Sequence, residues 1–312
     1  MKISESKLDF AVHLDFSAIL TNPILDIAAR VWEEERYEAF RVCYRSMRLI
    51  DDLVDTRKAS TDPISEQEIA ALAGKMDAWL ESIRTRKPLE EYSAKFVEVL
   101  DRFEMPLWPW ERLCRSMQYD LRHNGFATFS TFTRYCEGAA IAPAAIFMHL
   151  CGVRRDGNSY RKPSFDIRSA ARLLAIFSYI THILRDFEKD QRSHLNYYAD
   201  SLIVASGCSR PMLEEIALSG SPTPEFRRLM REYARIGEYY RGRARQVVDK
   251  TLPLLEERYQ LSLELIYALY LQIFRRVDPD NGRFDQQALH PTPAEVEKEI
   301  HRVISTFRPC TG

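Results

Sequence analysis

The stretch EEERYEAFRVCYRSMRLIDDLVD, residues 33–55, repeats apolar side chains at helical spacing without a glycine or proline, and so reads as one long helix. Tyr37, Phe40, Tyr44, Met47 and Leu53 form its expected inner stripe. At its end stand Asp51-Asp52-Leu53-Val54-Asp55. Asp51 and Asp55 lie four residues apart, which on a helix places two like charges on one face, with Cβ atoms roughly 5–6 Å apart. A helix bears that repulsion readily when a cation sits between the carboxylates, and Mg²⁺ suits oxygen donors that share it with phosphate.

A second cluster, Asp186-Phe187-Glu188-Lys189-Asp190, repeats the spacing. Each cluster has arginine beside it, Arg45 and Arg48 before the first and Arg185 before the second. Guanidinium forks next to metal-holding carboxylates point to a diphosphate gripped from both sides. Either cluster alone could be a solvated acidic helix turn. Two of them in apolar helical contexts point to one cavity between facing helices.

The rest of the chain agrees with an all-α reading. Only 11 glycines occur in 312 residues, so turn signals are sparse and long helices are favoured over many short strands. Ser65 with Glu68 makes a capping box for a helix through Leu72, Met76 and Trp79 to about Ile83. Pro88, Pro106 and Pro109 punctuate the next region, where Tyr92–Phe103 and Trp110–Leu121 read as helices. Further helices are expected over Phe129–Cys151, Ile167–Asp190, Met212–Leu218, Pro224–Tyr259, Ser262–Val277 and Pro293–Phe307, with polar loops over Thr56–Pro63 and Gly152–Pro163. No low-complexity linker or fixed-period repeat divides the chain, which reads as one domain over residues 1–312.

Composition excludes some classes. With 44 basic and 45 acidic residues the net charge is −1, which carries no electrostatic footprint for nucleic acid. The six cysteines lack CxxC spacing and read as reduced thiols rather than a zinc site. The N-terminus lacks the apolar core of a signal peptide, and Ala139–Cys151, the most apolar stretch, falls short of the ~20 residues that span a bilayer. These features read as a cytoplasmic protein without a transmembrane anchor, with peripheral membrane contact left open.

Tyr44–Asp55, then Tyr135-Cys136-Glu137-Gly138-Ala139-Ala140, then Ile183–Asp190, together resemble the squalene and phytoene synthase family, in motif order over roughly residues 20 to 280. The resemblance implies a single-domain, isoprenoid-synthase-like helical bundle around a central cavity, joining two prenyl diphosphates head to head with Mg²⁺. It implies metal contacts for Asp51, Asp52, Asp55, Asp186 and Asp190, and diphosphate contacts for Tyr44, Arg45, Arg48 and Arg185. It places Tyr135, Gly138 and Ala139 beside the prenyl tails, with Tyr135 among the catalytic groups, and Tyr197 and Tyr270 at the substrate.

Departures from the family pattern are informative. His182 stands where asparagine helps ligate metal, as a substitute ligand or a partner of Asp186. Phe284-Asp285-Gln286-Gln287 stands where basic residues are expected, so that one diphosphate contact is either missing or supplied by Arg275, Arg276 or Arg283. The favoured reaction is condensation of two farnesyl diphosphates to presqualene diphosphate and on to squalene, with NADPH as reductant. The alternatives are a phytoene or dehydrosqualene synthase, an enzyme that stops at presqualene diphosphate, and a catalytically silent assembly or binding relative.

Overall fold

The computed structural model describes residues 9–58, 63–87 and 91–310. In chain order it contains α1 (Asp9–Val12), α2 (Ile24–Ala29), α3 (Glu34–Lys58), α4 (Glu66–Arg84), α5 (Glu91–Arg102) and α6 (Trp108–Asp120). Then come α7 (Phe129–Ala139), α8 (Ile141–Gly152), a hairpin of β1 (Arg154–Asp156) and β2 (Ser159–Arg161), α9 (Ile167–Arg185) and α10 (Phe187–Arg192). The chain continues with α11 (Asp200–Ala205), α12 (Arg210–Ser219), α13 (Pro224–Thr251), α14 (Glu257–Phe274), α15 (Gln286–Leu289) and α16 (Pro293–Thr306). The fold is all-α, its only sheet among the described residues being the two-stranded hairpin.

Helix ends follow local chemistry. Ser65 and Thr292 each accept from the backbone of a glutamate three residues on, which returns the bond, so both α4 and α16 begin with a full capping box. Proline in the first turn of α6, α12, α13 and α16 costs no hydrogen bond there.

Four expected boundaries are corrected. The helix expected over Phe129–Cys151 is two, broken at Ala140 with φ −123° and ψ −48°, and Pro143 then sits in the first turn of α8 where its missing N–H does no harm. The helix expected over Pro224–Tyr259 stops at Thr251, because Pro253 cannot continue it. The Gly152–Pro163 loop holds the hairpin, whose Gly157-Asn158 turn uses φ +60° at the glycine. The helix expected over Ile167–Asp190 breaks at Asp186, where φ −94° and ψ 11° leave the helical region.

One apolar cluster runs from Ala11 to Phe307 and takes residues from nearly every helix. At its centre is α9, packed on α13, α8, α14 and α7. It is also the one described helix long and apolar enough to cross a membrane, and its apolar face is spent on these neighbours. Close approach explains two glycines. A Cβ on Gly138 would lie 2.1 Å from the Arg112 carbonyl oxygen of α6, and one on Gly237 2.5 Å from the Phe274 ring of α14.

Candidate active site

Tyr44, Arg48, Asp51 and Asp55 recur along α3 at offsets of four, seven and eleven residues and therefore share a face. Arg48 donates to both Asp51 and Asp52. Asp52, one residue round the helix, is half exposed and turned from the Asp51–Asp55 face, so the metal contact expected of it is not supported by its placement. Arg45 lies on an exposed flank of the same helix.

The second motif straddles the α9–α10 break. Asp186 is buried and its two carboxylate oxygens are fully engaged: Arg185 donates Nε to Oδ1 at 2.6 Å and Nη2 to Oδ2 at 2.7 Å, and His182 Nε2 lies 2.7 Å from Oδ2. These donors hold the Asp186 carboxyl far below the usual carboxylate range, against the burial that would raise it. Of the two roles open to His182, the structure therefore puts it in the second, as a partner of Asp186. Its imidazole is pushed below the usual value by dense surroundings, although about half of the side chain (46%) stays open to the cleft.

Asp190 is the opposite case. Burial, the neighbouring Asp186 charge and Asp55 on α3 together push it up to about 8, with Lys189 and Arg185 opposing. Asp51 is pushed up to about 7 by burial and by Asp55, with Arg48 opposing. Asp55 of the first motif and Asp190 of the second thus feel each other's charge. Tyr270 of α14 joins them, since it raises Tyr44 on one side and is itself influenced by Arg185 and Asp186 on the other. Tyr197 stands among Asp120, Asp55, Asp190 and Asp51, all of which raise its hydroxyl.

Two residues of this site escaped the sequence reading. Asp120, at the end of α6, is buried and accepts from Tyr135 Oη at 2.5 Å and from Lys58 Nζ at 3.1 Å. Its signal was present: Asp120 continues the buried stripe of Trp110, Leu113 and Met117, where a carboxylate is out of place. His290 follows α15, and its Nε2 lies 3.0 Å from Asp186 Oδ1, outside in-line hydrogen-bond geometry and without another partner. No sequence spacing links it to the motif. The segment that carries it is docked there by Gln286 N–H donating to Glu188 Oε2 at 2.9 Å and by Phe284 packed on Phe226.

Other expectations are corrected. Arg276 is occupied with Glu295 and the Ala288 carbonyl, Arg283 is exposed and paired with Asp285, and Arg275 is exposed, so none of them fills the place expected of a basic residue. Gly138 faces Arg112 and Ser116 of α6, so its missing side chain serves helix packing rather than a prenyl tail. Ala139, next to it, keeps partial exposure, as do Ala140, Tyr179, Tyr197 and Tyr270.

Among the described residues no three Asp, Glu, His or Cys side chains converge at ligating distance. The donor set nevertheless fits a hard divalent cation. Asp51, Asp55 and Asp190 are oxygen donors raised by burial and by neighbouring carboxylates, Asp55 for Asp51, Asp120 for Asp55 and Asp186 for Asp190, the condition a bound cation reverses.

A sequence profile described as squalene/phytoene synthase matches residues 26–295. Phytoene synthase 3, chloroplastic, of Zea mays is 26% identical over 272 residues, covering 85% of this chain and 58% of the relative. The chain thus spans just over half the length of that plant relative. Phytoene synthase of Arthrospira platensis is 24% identical, covering 82% of this chain and 80% of its own. Among solved structures, a dehydrosqualene synthase in complex with ligand superposes with a TM-score of 0.71 at 18% identity, covering 93% of both chains. The squalene synthase HpnC from Alicyclobacillus acidocaldarius gives 0.57 at 14% identity, over 85% of this chain and all of that one.

Proposed function

The chain belongs to the squalene/phytoene synthase family, and we propose that it condenses two prenyl diphosphates head to head, taking farnesyl diphosphate as substrate. The observation that carries this reading is the pair of acidic helices facing one cleft, Asp51 and Asp55 on one side and Asp190 on the other, each beside an arginine.

In this reading Asp51, Asp55 and Asp190 hold Mg²⁺, which when bound neutralises the diphosphate and favours its departure. Arg48 exchanges its carboxylate partners for diphosphate oxygens, stabilising the charge that develops as the allylic C–O bond ionises. Asp186, already satisfied by Arg185 and His182, keeps the second motif in place rather than serving as an open ligand. Ala139 and Ala140 let a prenyl tail lie close to the α7–α8 junction, and Tyr44, Tyr179 and Tyr270 line the cleft with aromatic faces that shield a cation from water. Capture of the cation by the second substrate's double bond gives a cyclopropyl diphosphate, presqualene diphosphate. Its second ionisation and rearrangement end in hydride transfer from NADPH and squalene.

Support for the fifteen-carbon chain comes from an aromatic plug near the start of α3. Phe40 stacks on Tyr44 at 5.4 Å and meets Trp32 and Phe147 edge-on at 5.7 and 5.6 Å. Phe40 lies eleven residues before Asp51, about 16 Å along the helix. If every three skeletal bonds span at most ~3.6 Å, as in an extended peptide, the twelve-bond farnesyl chain reaches ~14 Å and the sixteen-bond geranylgeranyl chain ~19 Å. The shorter tail fits before the plug. A twenty-carbon substrate is the second reading, favoured by the phytoene synthases among the relatives.

The test is to incubate purified protein with Mg²⁺ and farnesyl or geranylgeranyl diphosphate, with and without NADPH, and to identify products by mass spectrometry. We expect presqualene diphosphate without NADPH and squalene with it. Higher kcat/KM for geranylgeranyl diphosphate would replace the fifteen-carbon reading, and no condensation of either would overturn the function.

A further inference from the structure

Lys58, Asp120 and Tyr135 form a buried relay that the two acidic motifs do not include. Lys58 closes α3 one turn beyond Asp55, Asp120 closes α6, and Tyr135 lies midway along α7. Lys58 Nζ donates to Asp120 Oδ1 at 3.1 Å, and the Tyr135 hydroxyl donates to Asp120 Oδ2 at 2.5 Å. Lysine has only protons to give, and an ionised carboxylate has only lone pairs. Burial raises the Asp120 carboxyl and Lys58, little exposed itself, opposes that rise, so both oxygens of Asp120 face groups that donate to them. With both ends fixed, the phenol of Tyr135 has one direction for its proton: toward Asp120. What it offers its other neighbours, among them Tyr179 with its ring centroid 6.2 Å away, is the oxygen's lone-pair side.

We propose that Asp120 is a positioning residue, anchored by Lys58, that holds the Tyr135 hydroxyl as an acceptor toward the cleft. This rests on the head-to-head reading, since the benefit arises only where a carbocation forms. An oxygen presenting lone pairs stabilises developing positive charge, whereas one presenting its proton opposes that charge and competes as a donor for the departing diphosphate. No bond to the substrate is made or broken by these three groups.

Asp120→Asn separates orientation from shape. The amide keeps the size of the carboxyl but offers one oxygen and one NH₂, and Lys58, which can only donate, pairs with the oxygen alone. The NH₂ therefore faces Tyr135, whose oxygen must accept and whose proton must turn away, toward the cleft. We expect Asp120→Asn to lower kcat for presqualene diphosphate formation at least ~10-fold with KM for farnesyl diphosphate within about twofold, the pattern of an interaction made in the transition state. Tyr135→Phe should fall similarly, and adding it to Asp120→Asn should cost less than a further ~3-fold, because the two changes act through one hydroxyl.

An Asp120→Asn enzyme within twofold of wild type, or effects that multiply in the double variant, would overturn the assignment. A second measurement needs neither that variant's folding nor turnover. The tyrosine ring doublet in the Raman difference between wild type and Tyr135→Phe distinguishes a phenol that donates to a carboxylate from one that only accepts, and the acceptor pattern would also overturn it. If wild type condenses no prenyl diphosphate while the difference spectrum shows the donor pattern, the failure belongs to the function and not to the hydrogen-bond relay.

Discussion

Replacing Asp190 by asparagine should stabilise the metal-free protein, and increasingly so as pH rises. The carboxyl of Asp190 is raised to about 8 in the fold, chiefly by burial and by Asp186, against about 3.9 in the unfolded chain. A raised acid favours the native state below the unfolded value, and that advantage is lost as pH climbs through the folded value. Between about pH 4 and 8 the unfolded chain has released this proton and the native one has not, so stability falls throughout that window.

Taken at face value, the displacement is worth about 5–6 kcal/mol above pH 8, at about 1.4 kcal/mol per tenfold change in proton affinity. Water reaching a carboxyl that is only partly covered lowers this, and we take about 2 kcal/mol. Asparagine keeps the shape without the charge. In EDTA at pH 8 Asp190→Asn should therefore melt roughly 4–8 °C higher than wild type, at about 2–4 °C per kcal/mol for a chain near this size. At pH 5, where the unfolded chain is only about one unit past its own pKa, the gap should be smaller than at pH 8. Comparing two proteins at each pH cancels the titration of His149 and His182, which are held low and run the other way.

Added Mg²⁺ should then reverse the order. Wild type gains about 2.7 kcal/mol at a hundred times its Kd, and the variant, lacking one ligand charge, gains much less. The assay is thermal or denaturant unfolding at both pH values, with EDTA or Mg²⁺. Lower stability of Asp190→Asn in EDTA at pH 8, or a gap that does not change with pH, would refute the claim that this carboxylate lacks a partner.

Other expectations follow from single contacts. His290→Ala should reduce kcat/KM about tenfold with little change in Tm, because 40% of that side chain is exposed and its contact is with Asp186, while His290→Gln should recover most of the loss; equal effects of the two would leave the imidazole without a role. Gly138→Ala should destabilise by at least ~2 kcal/mol in denaturant unfolding despite the better helix propensity of alanine, since the new Cβ would meet the Arg112 carbonyl at 2.1 Å and Ser116 Oγ at 2.3 Å; an unchanged midpoint would contradict the α6–α7 packing.

The sequence was most legible where one periodicity holds for many turns. Residues 34–55 fell within α3, Glu33 alone of the expected helix lying just before it, and the capping box at Ser65 and Glu68 fixed the start of α4, because in both places local and tertiary preferences agree. The misplaced boundaries had weaker voices: Pro143 and Pro253 marked breaks that the apolar pattern ran straight through. The hairpin turn at Gly157-Asn158 was readable in principle, but three-residue strands carry too little alternation to announce themselves. Within the site, spacing along one helix located Asp51 with Asp55 and Asp186 with Asp190. It said nothing of Asp120 and His290, which reach the site from α6 and from beyond α15, because such meetings are set by how helices pack and not by spacing along any of them.

The same limit explains why the two motifs, alike in sequence, differ in the fold. Spacing treats Asp186 and Asp190 as equivalent, yet the break after Arg185 hands both oxygens of Asp186 to protein donors, while at Asp190 burial and the Asp186 and Asp55 charges outweigh Lys189 and Arg185. A carboxylate already satisfied contributes stability and gains little from a cation. One that is desolvated without a counter-charge costs stability until a cation arrives, and its binding is favoured by the relief of that cost. Asp51 and Asp55 on α3 share the second condition, with Arg48 as a partial, exchangeable partner for Asp51. The cleft is therefore braced at Asp186 and under-compensated at the three carboxylates around it, so that metal and diphosphate, arriving together, supply both the missing positive charge and the new partner for the guanidinium that it displaces.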